Sequence, residues 1–404
     1  MSAQHPGDEA SKAAWRRWFE VLDQTRSRML AREEAQHPRV REQALYGLQA
    51  MIAGGFHMYV APRQDYPAFY KQTMWSPYET PWGGPSSDMV YHWCFIDGRR
   101  TYRIWGRRGT TRFTDFQLFS GYFGDDSMHA IGNHDLDSFK CGPDGEFEII
   151  LSPRRHAGNW IPLEEKEHHS MIQLRDTWYD WHGERGVEIH IETLDRPADS
   201  MVLPEAELNA RLEKAARLVE QCTARALGYA RHTKQAAGGV NRFSMVLGEA
   251  SANKDHGASP RAGYVALVWD IAPDEALIFE GQPPQARYWS VQLMDLWWGT
   301  LDFSYHQSGL NGHQMQLDED GRFRAVLSFD DPGVPNWLDP MRTPVGQCLM
   351  RWYDGRMEQA PEVRKVKLAD LRQHLPAATP SVTTEQRTAQ LAQRTRDSLS
   401  RWGY

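Results

Sequence analysis

The side chains best suited to chemistry crowd into one stretch. Asp295, Trp297, Trp298, Asp302, Tyr305, His306 and Asn311 all fall within the run DLWWGTLDFSYHQSGLNGH. Histidine titrates near neutrality, so His306 reads as a candidate general base. Asp295 or Asp302 would orient its ring, and Asn311 would donate to charge developing on a substrate. Trp297 and Trp298 offer apolar walls, with Tyr305 and Gln307 as polar contacts, the mixture a small-molecule pocket needs. The competing role for His306 is structural, a ring bonded to loop backbone that ties a long connection to the fold.

Other groupings are weaker. Asp125, Asp126, His129, His134 and Asp135 offer mixed nitrogen and oxygen donors, but their spacing matches no established metal motif, and no metal or other cofactor is expected. Glu164-Glu165-Lys166-Glu167-His168-His169 reads as strand, where neighbours point opposite ways. Arg99, Arg100, Arg103, Arg107, Arg108 and Arg112 form a basic stripe. Alternation places Arg103 opposite Tyr102 and Ile104, on a solvated face or as a seat for an anionic group. Phosphate-cradling glycine loops, GxSxG elbows and HExxH pairs are absent from the sequence.

The elements that would position these residues can be read from periodicity. The run after Ala286 starts as a strand, with Tyr288, Ser290, Gln292 and Met294 alternating against Trp289, Val291 and Leu293. Trp15, Trp18, Phe19, Leu22 and Met29 recur at helical spacing, and a second helix runs from about Val40 to Gly54-Gly55. Ser76 to Pro85 holds neither regular structure and marks a boundary. Beyond it come short strands at 91–96, 101–105, 112–118, 147–151, 171–179 and 187–193, separated by turn residues, the pattern of a β-sandwich. A helix from Pro204 to Tyr229 has Glu205 and Glu207 in its first turn, which suits the helix dipole. Strands resume at Tyr264. Residues 384–402 form an amphipathic helix whose Leu391, Leu399 and Trp402 must dock for it to persist, on the N-terminal helices or on a neighbouring subunit.

The two strand-rich segments match in order over about a hundred residues, the mark of an internal repeat. Thr111-Arg112-Phe113-Thr114-Asp115-Phe116-Gln117-Leu118 aligns with Ala286-Arg287-Tyr288-Trp289-Ser290-Val291-Gln292-Leu293. Gly106 matches Gly281 upstream. Downstream, Asp144-Gly145-Glu146-Phe147, Leu151-Ser152 and Asn159-Trp160 answer Asp320-Gly321-Arg322-Phe323, Leu327-Ser328 and Asn336-Trp337. Trp178-Tyr179-Asp180 is matched to Trp352-Tyr353-Asp354. Asp-Gly is a tight turn into a strand, and Asn-Trp anchors a sandwich corner, so shared residues speak for fold. Residues special to one copy are the better functional candidates.

On these stretches a family resemblance rests. Residues 97–110 (DGRRTYRIWGRRGT), Pro273 to Leu277, Ala286 to Trp289, Tyr305 to Gly312 and Asp331 to Asp339 resemble bacterial proteins carrying the domain of unknown function 1214. The likeness covers most of residues 40–404 and is specific in the second half. It departs at Ser86-Ser87-Asp88, where the family pattern has an Asn-Pro-Asp run. It implies an all-β, sandwich-type architecture with accessory helices, and it carries no activity or catalytic residue.

The fold expected is mainly β with accessory helices: two duplicated β-sandwich or jelly-roll-like units. The divisions are a helical region 1–85, a first sandwich 86–197, a helical connector 198–262, a second sandwich 263–372 and a C-terminal helix 373–404. At 404 residues the chain has ample core for this. A net charge of −7 argues against a nucleic-acid partner. With no apolar run of membrane-spanning or signal-peptide length, a cytoplasmic protein is expected, and four scattered cysteines read as reduced thiols. Three classes remain: a cytosolic enzyme acting on a small ring-containing or largely apolar molecule, with His306 central; a non-catalytic binder of an apolar or carbohydrate ligand in the same Trp-lined pocket; and an assembly protein forming homo-oligomers through its terminal helices.

Overall fold

A computed structural model describes residues 7–71, 82–125, 128–166, 169–195, 202–245 and 259–403. The boundary segment read at Ser76–Pro85 therefore lies partly outside the described residues, as do Asp126, Glu167 and His168. Among the described residues seventeen strands form four sheets. In the first half β1 (Tyr70–Lys71), β2 (Met89–Ile96), β8 (Ser170–Thr177), β4 (Phe113–Ser120) and β5 (His129–Asp135) line up in that order. A second sheet has the order β7 (Trp160–Pro162), β6 (Glu146–Ser152), β3 (Tyr102–Arg107), β9 (Glu188–Thr193).

The second half repeats both. β10 (Ala262–Asp270), β16 (Val345–Arg356), β12 (Gln285–Met294) and β13 (Gly309–Asn311) take the places of β2, β8, β4 and β5. β15 (Trp337–Leu338), β14 (Phe323–Ser328), β11 (Glu275–Gly281) and β17 (Glu362–Lys367) take those of β7, β6, β3 and β9. Phe147 pairs with Gly106 as Phe323 pairs with Gly281. Both Asn-Trp corners are built alike. The Trp160 and Trp337 indoles donate to the carbonyls of Ser152 and Ser328, and Asn159 and Asn336 each clasp a neighbouring loop through side-chain amide and carbonyl. The duplication is thus a duplication of fold.

One matched triplet is out of register. Asp115 faces Arg175 across β4 and β8, while Ser290 faces Arg351 across β12 and β16. Arg175 is therefore the counterpart of Arg351, and Asp176, not Trp178, stands where Trp352 stands. Trp178 falls beyond the end of β8 and packs elsewhere. Another departure is β5. Its polar edge sequence, HAIGNHD, reads as loop but pairs with β4 as β13 pairs with β12.

Each repeat encloses its own core between its two sheets, Ile104, Phe116, Phe147 and Leu174 in one, Leu277, Val291, Phe323 and Met350 in the other. The β2-β8-β4 and β10-β16-β12 sheets are buried on their second faces too, which meet each other beneath three helices. These are α1 (Asp8–Leu30), α2 (Pro38–Gly55) and α3 (Glu205–Ala236), with α1 and α2 packed on α3. α1 buries Ala14, Trp18, Val21, Thr25 and Met29, leaving Trp15 and Phe19 exposed rather than docked. Arg112 and Arg287, equivalent residues, each donate to the other's backbone carbonyl, so the repeats meet about a local two-fold relation.

The last helix, α4 (Thr384–Trp402), is closed by a Thr383–Gln386 capping box and a left-handed Gly403. It docks on the seam between the repeats, not on the N-terminal helices. Trp402 is buried with Val90, Trp178, Trp181 and Phe303, but Leu391 and Leu399 are only half-buried. Arginines do most of the docking. Arg387, Arg394 and Arg401, seven residues apart, are buried and donate to the carbonyls of Val334, Phe303 and Ser87. Arg394 and Arg401 also lie over the Trp181 ring. Among the described residues no helix is long and apolar enough to cross a membrane, and Cys94, Cys141, Cys222 and Cys348 are free thiols.

Candidate functional site

The 302–313 loop does not gather its residues into one constellation. His306 is half-buried, and its Nδ1 lies 2.7 Å from Asp339 Oδ2. That carboxylate, rather than Asp295 or Asp302, orients the ring; its hydrogen bond is the main cause raising the pKa, burial acts the other way, and the Asp302 charge adds a smaller rise. Asp302 accepts from the backbone N–H groups of Ser304 and Tyr305 and shapes the turn. Asp295 does the same for Trp297 and Gly299; burial pushes its pKa up to about 7. Asn311 is buried and committed, donating to Asp88 at 2.7 Å and to the Tyr179 carbonyl at 3.0 Å. Gln307 is buried against the Pro335 and Trp337 carbonyls, while Tyr305 is 54% exposed. Trp297 is core, its indole donating to the Val40 carbonyl.

Arg103 lies on the outer face of the first repeat, in an open concavity of about 680 Å³ with Trp105, Lys140 and His190. It stacks over Trp105 and pairs with Glu148 and Glu192, which neutralise it. In the Asp125–Asp135 segment, His129 meets Glu164, and Asp135 bridges to Arg261 and Arg287 of the second repeat. Among the described residues no three potential metal ligands come together.

A different group of polar side chains converges on the seam. Because β4, β8, β12 and β16 are buried on both faces, their inward series cannot reach bulk water. From the first repeat come Tyr91, Asp115, Gln117, Gln173 and Arg175; from the second, Tyr264, Tyr288, Ser290, Arg351 and Tyr353. Arg175 is fully engaged, 3.2 Å from Asp115 and bonded to Gln117 and Gln173. Burial raises the Asp115 pKa and Arg175 opposes the rise. Asp88 accepts from Tyr288, Asn311 and Trp181 at 2.6–2.8 Å, tying the start of β2 to the second repeat.

Arg351 differs from Arg175. Its guanidinium donates to the Gly84 carbonyl at 2.8 Å, its Nε has no partner, and among the described residues no carboxylate pairs with it. Burial acts to lower its pKa, and Tyr91, Tyr264, Tyr288 and Tyr353 are the phenols around it. Beside it Tyr229 of α3 stacks on Trp298, ring centroids 5.2 Å apart, and Trp82 meets Trp298 edge-on. Trp298 sits at φ 70°, an uncommon conformation for a bulky residue. Its carbonyl accepts from Gly83 and Gly84, which holds the Gly84 carbonyl toward Arg351.

The family model described as "Protein of unknown function (DUF1214)" matches residues 96–177 and 274–357. The chain is similar to the DUF1214 family over both of these stretches. The two matched stretches run to the ends of β8 and β16, so they are equivalent pieces of the two repeats, and the likeness first read mainly in the second half extends to both. An uncharacterised protein from Burkholderia cenocepacia, solved by crystallography, is 27% identical with a TM-score of 0.81, over 88% of this chain and 97% of that one. A Vibrio parahaemolyticus protein is 13% identical with a TM-score of 0.47, over 81% of this chain and 99% of that one. No curated protein matches the chain.

The seam is hard to read in the sequence for two reasons. The alternation of Tyr288, Ser290 and Gln292 against Trp289 and Val291 was visible, but a polar series on a strand ordinarily faces water. Matching Trp178 to Trp352 also slid β8 two places along β16 and hid the equivalence of Arg175 and Arg351. The signal that would have found them is a charged residue on strands whose other face is already apolar.

Proposed function

We propose that this protein binds a small molecule between its two repeats, in a space bordered by Tyr229, Tyr264, Trp298 and Arg351. The observation that carries the reading is that Tyr229, Tyr264 and Trp298 keep accessible surface deep in the molecule, while burial drives the Tyr229 and Tyr264 hydroxyls to higher pKa. Rings that keep part of their surface accessible yet are desolvated border an interior space rather than the outer surface. Aromatic walls with a few converging polar groups are what ligand sites are made of. The ligand is a ring-containing or partly apolar molecule held without turnover, and free cysteines suit a reducing, cytosolic setting. The test is a thermal-shift screen of ring compounds followed by Trp298→Ala and Tyr229→Ala. Hits that lose their shift in both variants support the site; hits indifferent to both place the ligand elsewhere.

A second reading keeps His306 as a general base, favoured by the Asp339 contact at Nδ1 that orients the ring. It is the weaker one, because Asn311 and Asp302 are committed to holding the loop. His306→Ala that abolishes turnover of a ligand while sparing its binding would revive it. Assembly through the terminal helices would use α1, where Trp15 and Phe19 stay exposed, since the buried face of α4 is taken by the seam.

A further inference from the structure

Comparison of the repeats assigns the ligand a charge. This rests on the proposed site between the repeats and adds to it: we propose that the molecule bound there is a small organic anion, a carboxylate on a planar or ring body, with its carboxylate on Arg351.

The argument starts from two equivalent arginines. Arg175 and Arg351 occupy the same place on β8 and β16, each with a tyrosine opposite it on the adjoining strand, Tyr91 and Tyr264. Across the other neighbour, Arg175 meets Asp115 and Arg351 meets Ser290. The carboxylate that neutralises the first guanidinium is replaced in the second by a hydroxyl engaged with Tyr288. Arg351 is nonetheless 5% exposed, so water does not supply the missing stabilisation. Arginine keeps its proton in any protein setting, and a tyrosine is uncharged near neutral pH, so the surrounding phenols orient dipoles but bring no counter-charge. A buried charge without a partner is strongly unfavourable. Arg394, also buried without a carboxylate, is answered by two backbone carbonyls, whereas Arg351 has one and an unpartnered Nε, which leaves donor capacity for an anion.

Geometry selects a carboxylate on a flat body. A guanidinium offers a planar fork of donors that matches two carboxylate oxygens, and one edge of this fork is already held by Gly84. The unpartnered Nε and the tyrosine hydroxyls around it are suited to the rest. Away from the charge the walls become aromatic and apolar, with the Tyr229–Trp298 stack and the Ala266, Met294 and Leu349 cluster on which Tyr264 and Trp298 pack. A fully hydrated inorganic anion would gain nothing from those walls.

The experiment compares benzoate and phenylacetate with their neutral amides, benzamide and phenylacetamide, by calorimetry and thermal shift on the full chain. The carboxylates are expected to bind about tenfold or more tightly than the amides, and the preference should vanish in Arg351→Met. Equal affinity for acid and amide would overturn the anion assignment and leave the proposed site standing. Binding of neither series at millimolar concentration would overturn both. An arm free of any probe uses the apoprotein: Arg351→Met and Ser290→Asp, which restores the carboxylate of the first repeat, should each hold or raise the melting temperature. A large fall in Arg351→Met, with far-UV circular dichroism unchanged, would make Arg351 a structural residue and overturn the proposal. Ser290→Asp should also abolish benzoate binding, its carboxylate taking the guanidinium; undiminished binding would overturn it too.

Discussion

At one position the two repeats hold the same arginine and answer it differently. In the first, Asp115, Gln117 and Gln173 close around Arg175 and the group is complete. In the second, Ser290 replaces the aspartate, and Arg351 is left to a backbone carbonyl and a ring of phenols. The outer sheets diverge in the opposite sense. Trp105 of β3 lies beside an open concavity, whereas in the second repeat Leu371 and Leu375 fold over the β11 and β14 face and pack on Ile278 and Val326. Duplication lets one copy keep the structural solution while the other relaxes it, and the relaxed position is where function is to be sought.

The harshest way to break the comparison is to remove what keeps the repeats in register. Deleting residues 384–404 takes away three buried arginines, each donating to a carbonyl of one repeat or the other, together with Trp402. Hydrogen bonds from charged groups are worth roughly 1.5–3 kcal/mol each, so a loss on the order of 5 kcal/mol or more is expected in urea denaturation. The strand signal in circular dichroism should survive, since both sandwich cores lie outside α4. An unchanged unfolding midpoint would show that the seam holds without its clasp.

Next comes the arginine pair itself. Asp115→Ala strands Arg175 in the interior and should cost about 3–5 kcal/mol, while Arg351→Met should cost close to nothing. Chemical denaturation of the two variants side by side measures the difference. Equal losses would mean that the two copies are energetically alike and that the contrast drawn from their neighbours is empty.

The same pair shows how much was legible beforehand. Strand positions, the duplication, and the Asn159-Trp160 and Asn336-Trp337 corners follow from period-2 alternation and turn residues, which act locally and so show in a single sequence. The site at the seam does not, because it exists only where two sheets approach, and nothing local marks Ser290 as facing Arg351. The 302–313 loop drew attention because it concentrates polar side chains; the structure uses Asp302, Gln307 and Asn311 to satisfy its own backbone and neighbours. β5 reads as loop because HAIGNHD has no regular apolar–polar alternation and lies at a sheet edge.

A smaller contrast lies in the matched corners. Trp160→Phe and Trp337→Phe each delete an indole bond to a serine carbonyl, worth about 1 kcal/mol. Each ring carries an arginine, Arg155 over Trp160 and Arg387 over Trp337, but Trp337 is buried and Trp160 only half-buried, so the second repeat should lose more. Melting temperatures of the two variants would check the order, and the reverse order would mean that the corners bear load differently from their burial.

The smallest expected effect concerns His306, whose partner Asp339 has Pro162 as its counterpart in the first repeat, so that copy has no such pair. The bond to Asp339 raises the His306 pKa above its ordinary 6.5 despite partial burial. The folded protein then holds this proton more tightly than the unfolded chain. The stabilisation is complete below the unfolded value and fades as pH rises through the folded one. His306 is half-exposed, so screening leaves only a few tenths of a kcal/mol. Wild type minus His306→Ala should therefore fall slightly from pH 5.5 to pH 8, a range chosen around the usual histidine pKa of about 6.5. A difference that grew with pH would mean that the ring is held neutral in the folded state, and that Asp339 bonds an imidazole rather than an imidazolium.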